Sequence, residues 1–181
     1  MQLAQYGTRK LPAGRLRAVL ATLEARCHAV LGNLPEVTQS VNAAQNALEA
    51  SEGEPCPSWV SWFDAAEHNV TVGVCELIAA KHDPARAQEA ISVIRAGTAM
   101  RPVERTRSRA FDGIALARAH VRVGELLEAD HATATALALF GHVTSSRVTD
   151  RLEELDQELA AQPHARQAGE TRERIKAAVA A

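Results

Sequence analysis

The residues of this chain that could do chemistry are scattered rather than gathered. Its seven histidines are His28, His68, His82, His120, His131, His142 and His164, and its three cysteines are Cys27, Cys56 and Cys75. A helical zinc site needs two histidines four apart, or a histidine and a carboxylate at such spacing. Asp64 and His68 are four apart and Glu128 and His131 three apart, while Glu67 adjoins His68 and faces elsewhere. Pairs of that kind are ordinary neighbours on a helix surface, so no metal is expected. No Ser/His/Asp order, phosphate-binding loop or dinucleotide fingerprint occurs. The one glycine-bearing hint, FDGIALARAH, falls inside a helical pattern. No catalytic residue and no cofactor is therefore expected, and the chain does not read as an enzyme. Arg118 and Arg122 are four apart and point the same way. Two such guanidinium groups can hold a carboxylate or peptide backbone through bidentate hydrogen bonds. The plainer alternative is a solvated face, with Arg118 paired to a nearby acid.

Aromatic residues make up only 3% of the chain, yet Trp59, Trp62 and Phe63 crowd into PCPSWVSWFDAAEHN. With Ala66 they fall at i, i+3, i+4 and i+7, one face of a helix. That spacing predicts a buried anchor, each large ring covering ~150–250 Å². A stacking platform for a ligand is the other reading.

The elements that must position these residues are helical. Hydrophobic residues make up 46% of the 181, charged residues 23%, and the net charge is −2. This is the balance of one soluble domain with a real core. A pI near 6.4 argues against a domain that holds nucleic acid electrostatically. Three widely spaced cysteines form neither a disulfide framework nor a CxxC motif, and a reducing compartment fits them. MQLAQYGTRKLPAGR holds no signal sequence, and no apolar run approaches the ~20 residues of a membrane span. The expected location is cytoplasmic. Arginine dominates the basic charge, with lysine only at Lys10, Lys81 and Lys176, as in a GC-rich genome.

Pro12 can open a helix, in which Leu16, Val19, Leu20, Leu23, Cys27, Val30 and Leu31 share the face expected to be inward. A second helix spans Pro35 to Glu49, with Val37, Val41, Ala44 and Leu48 inward. After the loop Ser51–Pro57, Ser58 is a good N-cap for a helix from Trp59 to about Ala80. Asp83 then caps and Pro84 opens a helix carrying Ala87, Ala90, Ile91 and Ile94, which Gly97 closes. Thr98–Thr106 reads as a loop. Helices follow over about Arg107–Val123 and Leu126–Gly141, with Gly124 at the turn. SSRVTDRLEELDQELAA gives one more, with Val148, Leu152, Leu155 and Leu159 inward, until Pro163 breaks it. No period-two pattern occurs, so the fold class is all-α. A single domain over 1–181 is expected, with 1–11 flexible and 163–181 a short helical or frayed tail.

Three turns resemble one another: AVLGNLPEVTQSVNAAQNAL, ELIAAKHDPARAQEAISVIRA and ARAHVRVGELLEADHATATAL. Each second helix carries matching small or branched residues. These are Val37, Ala87 and Ala129, then Val41, Ile91 and Thr133, then Ala44, Ile94 and Ala136. The pattern resembles the tetratricopeptide repeat. It departs from that family in its spacings, 50 residues (82 − 32) and 42 residues (124 − 82) against a period of about 34. His82 stands where the family has a turn glycine. The resemblance implies an array of about three antiparallel helix pairs with a C-terminal capping helix, and a concave groove lined by the first helices. Counting back from each turn, that groove would present Thr22, Arg26 and Ala29, then Asn69, Val72, Glu76 and Ala79, then Phe111, Ile114, Arg118, Val121 and Arg122. Arg26, Asn69, Glu76, Arg118 and Arg122 are the candidate ligand-groove residues. RVTDRLEELDQEL could cap the array or form a dimer seam, and a cap suits its short run of apolar residues better.

The order PSWVSWFDAAEHNVTVG, DPARAQEAI, RSRAFDGIALARAHVRVGELLEA, SSRVTDRLEELDQEL is also similar to the C-terminal halves of actinobacterial helix-turn-helix transcriptional regulators, over about Pro57 to Leu159. That resemblance implies a sensor domain binding a peptide, protein or small effector. DNA would be reached only through a domain that this chain lacks, since nothing before Leu11 could form a helix-turn-helix. The alternative is a stand-alone scaffold acting through protein contacts or homodimerisation. A weaker third reading is an all-α enzyme with a buried acid–base pair, for which Glu76 with Arg118 would be the place to look.

Overall fold

The first described helix, Gly14–Leu31 (α1), buries its alanines and leaves Leu23 and Leu31 exposed. The computed structural model describes residues 14–141, 145–162 and 166–180, and every regular element among them is helical. After α1 come α2 (Leu34–Glu49), a short 3-10 turn (Ser58–Val60), α3 (Ala65–Ala79), α4 (Arg86–Met100), α5 (Thr106–Val123), α6 (Leu126–Phe140), α7 (Ser146–Ala160) and α8 (Arg166–Ala180). The chain divides into two units, Met1–Met100 and Arg101–Ala181. None of the described helices is long and apolar enough to cross a membrane. Pro12, Pro163 and the segment 1–11 lie outside the described residues.

In the N-terminal unit α1 pairs with α2 and α3 with α4, and α1 also packs along α3. Gly32 ends α1 in the left-handed region (φ +77), and Asn33 N–H donates back to the His28 carbonyl at 3.0 Å, a glycine-closed helix end. A Cβ on Gly32 would lie 2.9 Å from Nδ1 of His82, so the turns of the two pairs sit side by side. Asp83 accepts from the Ala85 N–H at 3.2 Å, and regular helix begins at Arg86, two residues later than Pro84 suggests.

Small residues set the packing distance. A Cβ on Gly73 would lie 3.0 Å from the Ile94 nitrogen, and one on Gly97 2.9 Å from the Ala66 carbonyl. Gly97 therefore does not end α4, as its type suggests. It is buried inside a helix that continues to Met100. The same logic decides which face of α1 goes in. Ala18, Ala21, Ala25 and Ala29 are buried, because only small side chains let α1 approach its neighbours closely. The leucine face expected inward lies on the opposite side. Leu23, Val30 and Leu31 are 44%, 62% and 70% exposed, Cys27 is exposed, and Leu16, Val19 and Leu20 are half-buried.

In the C-terminal unit α5 pairs with α6 across Gly124 (φ +79). α7 packs on α5, and α8 packs on both α6 and α7. The core holds Ile114, Val121, Val148, Leu152, Leu155 and Ile175. α7 is thus not a lone cap on three pairs. The tail forms a full helix that buries Ala168, Thr171 and Ile175, and it makes a fourth pair with α7. Of the nine matching positions in the three similar turns, all but half-buried Val41 are buried.

Candidate functional site

Both tryptophans lie in the N-terminal unit, in the segment that leads into α3. Expected as core, they project outward: Trp59 is 62% and Trp62 45% exposed, and only Phe63 of the three rings is buried. The reason is local. Instead of a helix capped by Ser58, residues 58–60 make a 3-10 turn, and α3 is capped by Asp64, whose carboxylate accepts from Glu67 N–H at 2.9 Å. This breaks the helical register on which the expected shared face depended. The turn is held in place by Trp62 Nε1–H donating to the Trp59 carbonyl at 2.9 Å and Arg15 donating to the Ser61 carbonyl at 3.3 Å.

From the outer rings a contact chain runs inward and out again. Trp62 meets Phe63 edge-on at 5.6 Å, and Phe63 meets His68 edge-on at 6.2 Å. His68 Nδ1 lies 3.4 Å from Asn69 Oδ1. Asn69 Nδ2–H donates to the Met100 sulfur at 3.5 Å, and Met100 is itself exposed. His68 is buried, and its Nε2 has no hydrogen-bond partner among the described residues. Burial pushes its pKa below the ordinary 6.5, and the Asn69 contact and the Glu49 charge offset this only in part. Burial thus favours the neutral imidazole behind an exposed aromatic surface.

The five candidate groove residues fall in different surroundings. Asn69 belongs to the chain of contacts just described. Arg26 is half-buried on α1, and its charge acts on the Cys75 thiol, which burial nonetheless pushes up to about 12. Glu76 accepts from Arg86 at 2.8 Å, and Arg86 also donates to the Leu34 carbonyl (3.4 Å) and Thr38 (3.2 Å). That arginine staples α2, α3 and the start of α4. In the C-terminal unit Arg118 donates to Glu154 (2.7 Å) and Glu158 (2.8 and 3.2 Å), and Arg122 lies 3.6 Å from Glu158. Burial alone would lower the Arg118 pKa, but the bonds and charges of Glu158 and Glu154 outweigh it and raise it. The other residues counted into the groove, Thr22, Ala29, Val72, Ala79, Ile114 and Val121, are buried among the helices, and Phe111 is half-buried.

Several paired residues escaped the sequence reading. Arg101 and Asp112 form a buried two-point pair at 2.7 and 3.1 Å. Asp130 receives Thr171 and Arg174 from α8, and His120 Nδ1 lies 2.7 Å from Glu125. Helical patterning carries no signal for the first two, whose partners lie 11 and 41 residues apart. An open depression of about 770 Å³ runs beside Asp130, Arg166, Glu170 and Arg174, whose charges already pair with one another. Among the described residues no group of three His, Cys, Asp or Glu side chains could hold a metal. Comparison of the chain with family models, curated proteins and solved structures gave no significant match.

Proposed function

We propose that this chain is a helical-repeat module of the tetratricopeptide type that binds a peptide or protein partner, through the aromatic surface at the head of α3. The observation that carries this reading is the outward projection of Trp59 and Trp62. Large rings with a polar handle supply much contact area at small entropic cost, and they dominate binding energy where they occur. Met100 extends the apolar area and Asn69 gives it a hydrogen-bonding group. No chemical step is assigned to it, and the module would work in the cytoplasm. The setting we propose is the sensor half of a helix-turn-helix regulator, with DNA contacted by a domain outside this chain. A groove built on Glu76, Arg118 and Arg122 is less favoured, because their charges already have partners within the chain.

Selection of a displayed random-peptide library on the immobilised chain tests the reading. Enriched peptides should lose most of their binding to a Trp59→Ala/Trp62→Ala variant that still folds. No enrichment, or peptides indifferent to that variant, would overturn it.

A further inference from the structure

Helix α1 carries two apolar stripes, alanine on one side and leucine or valine on the other, with Arg15, Arg17, Glu24 and Arg26 between them. Only the alanine stripe is buried, and on the other stripe Leu23, Cys27, Val30 and Leu31 are exposed. That side, on which Leu16 and Leu20 are half-buried, has a regular order. Leu16, Leu20, Leu23, Cys27 and Val30 succeed one another at steps of 4, 3, 4 and 3, the a/d seam of a two-stranded coiled coil over two heptads. Flanking this seam are Arg17 and Glu24 on one side and Val19 and Arg26 on the other.

We propose that this seam pairs antiparallel with the same seam of a second copy. The flanking charges select that arrangement. With Leu20 against Leu23 of the other copy, Arg17 of each chain falls beside Glu24 of the other, twice in the dimer, and Val19 falls beside Arg26. The antiparallel register one heptad along would oppose Glu24 to Glu24 and Arg26 to Arg26. A parallel pairing matches Arg26 with Leu31 and Glu24 with Val19, with no opposite charges. A self-complementary patch of this kind closes as a two-fold dimer. One helix, about 27 Å long, buries less than the ~800 Å² per partner of a standard interface, so the dimer is weak and forms as concentration rises. This surface uses none of the aromatic residues at the head of α3, and it stands or falls independently of peptide binding there.

Sedimentation equilibrium over a concentration series is the test. The chain should show a monomer–dimer equilibrium, and Leu23→Glu should weaken it by ~10-fold or more without changing the circular dichroism. A strict monomer at every concentration, or a dimer untouched by Leu23→Glu, would overturn the proposal. A mixing experiment tests the register. Arg17→Glu and Glu24→Arg chains should each dimerise poorly alone and pair when combined, because mixing restores both charge pairs. Failure of the mixture to pair overturns the antiparallel arrangement.

Discussion

Helices α1 and α7 carry the same kind of stripe and treat it in opposite ways. On α7, Val148, Leu152, Leu155 and Leu159 are all buried. On α1, Leu23, Val30 and Leu31 stand in solvent. Leucine content does not separate them; the placing of neighbours does. α7 lies against both α5 and α8, which together close over its leucine face. α1 has α2 and α3, and both meet it on the alanine side, where short side chains allow the closest approach. A helix buries whichever face its neighbours can reach, and both neighbours of α1 reach the alanine face.

The sharpest way to break this contrast is to truncate both stripes. Leu155→Ala removes a fully buried side chain and should cost about 2–5 kcal/mol. Leu23→Ala, made at low protein concentration, should stay within about 0.5 kcal/mol of the parent. Urea denaturation measures both, and equal losses would mean that the α1 stripe is covered after all.

The second test concerns the small-residue packing that sends the α1 leucines outward. Gly97→Ala drives a methyl group against the Ala66 carbonyl and the Val70 backbone at under 3 Å. Backbone cannot yield as a side-chain tip does, so α3 and α4 must part, at about 1–3 kcal/mol. Alanine is the better helix former by about 1 kcal/mol, so a stabilised variant would show that close approach is not what holds the N-terminal unit. The same substitution at Gly141, at the end of α6 with nothing within 4 Å of a new Cβ, should be tolerated.

These glycines also mark where sequence reasoning reached its limit. Helical periodicity was enough to find the helices, and Gly32 and Gly124 marked two turns because a left-handed residue there needs glycine. It also picked the inner faces of α4 and α7, where apolar and polar residues alternate clearly. It could not choose the inner face of α1, because alanine and leucine both read as apolar. It misread Gly97, since a glycine needed for close contact looks the same as one that ends a helix. Ser58 and Asp64 are both good caps, and choosing the first placed Trp59 and Trp62 on a helix face that does not exist. Of the candidate site, the aromatic cluster stood out by its crowding but its spacing pointed to buried core, and Asn69 came only from counting back from the turn. The Arg118 partners were not, because Glu154 and Glu158 lie 36 and 40 residues away and no local pattern joins them.

The last and smallest effect is electrostatic, and it separates the two units by pH. His68 has a native pKa below its ordinary 6.5 because burial disfavours the imidazolium. Below about pH 6.5 the unfolded chain therefore binds a proton that the native chain does not, and stability falls as pH falls, by about 1.4 kcal/mol for each unit of pKa difference. Glu154 behaves as an acid with a depressed pKa. Burial would raise it, but the bonds and charges of Arg151 and Arg118 outweigh this and lower it from 4.5. Its contribution is complete above about pH 4.5 and is lost below, and partial exposure to solvent keeps it small. Acidification should thus loosen the N-terminal unit first and the α5–α7 contact later. Both tryptophans lie in the N-terminal unit, so their fluorescence melting curve should shift as pH falls below 6.5. His68→Leu should flatten that shift, whereas Glu154→Gln should leave it unchanged and reduce the pH dependence of overall helix melting below pH 4.5. A tryptophan signal that follows Glu154 and ignores His68 would show that the two units do not respond separately to acid.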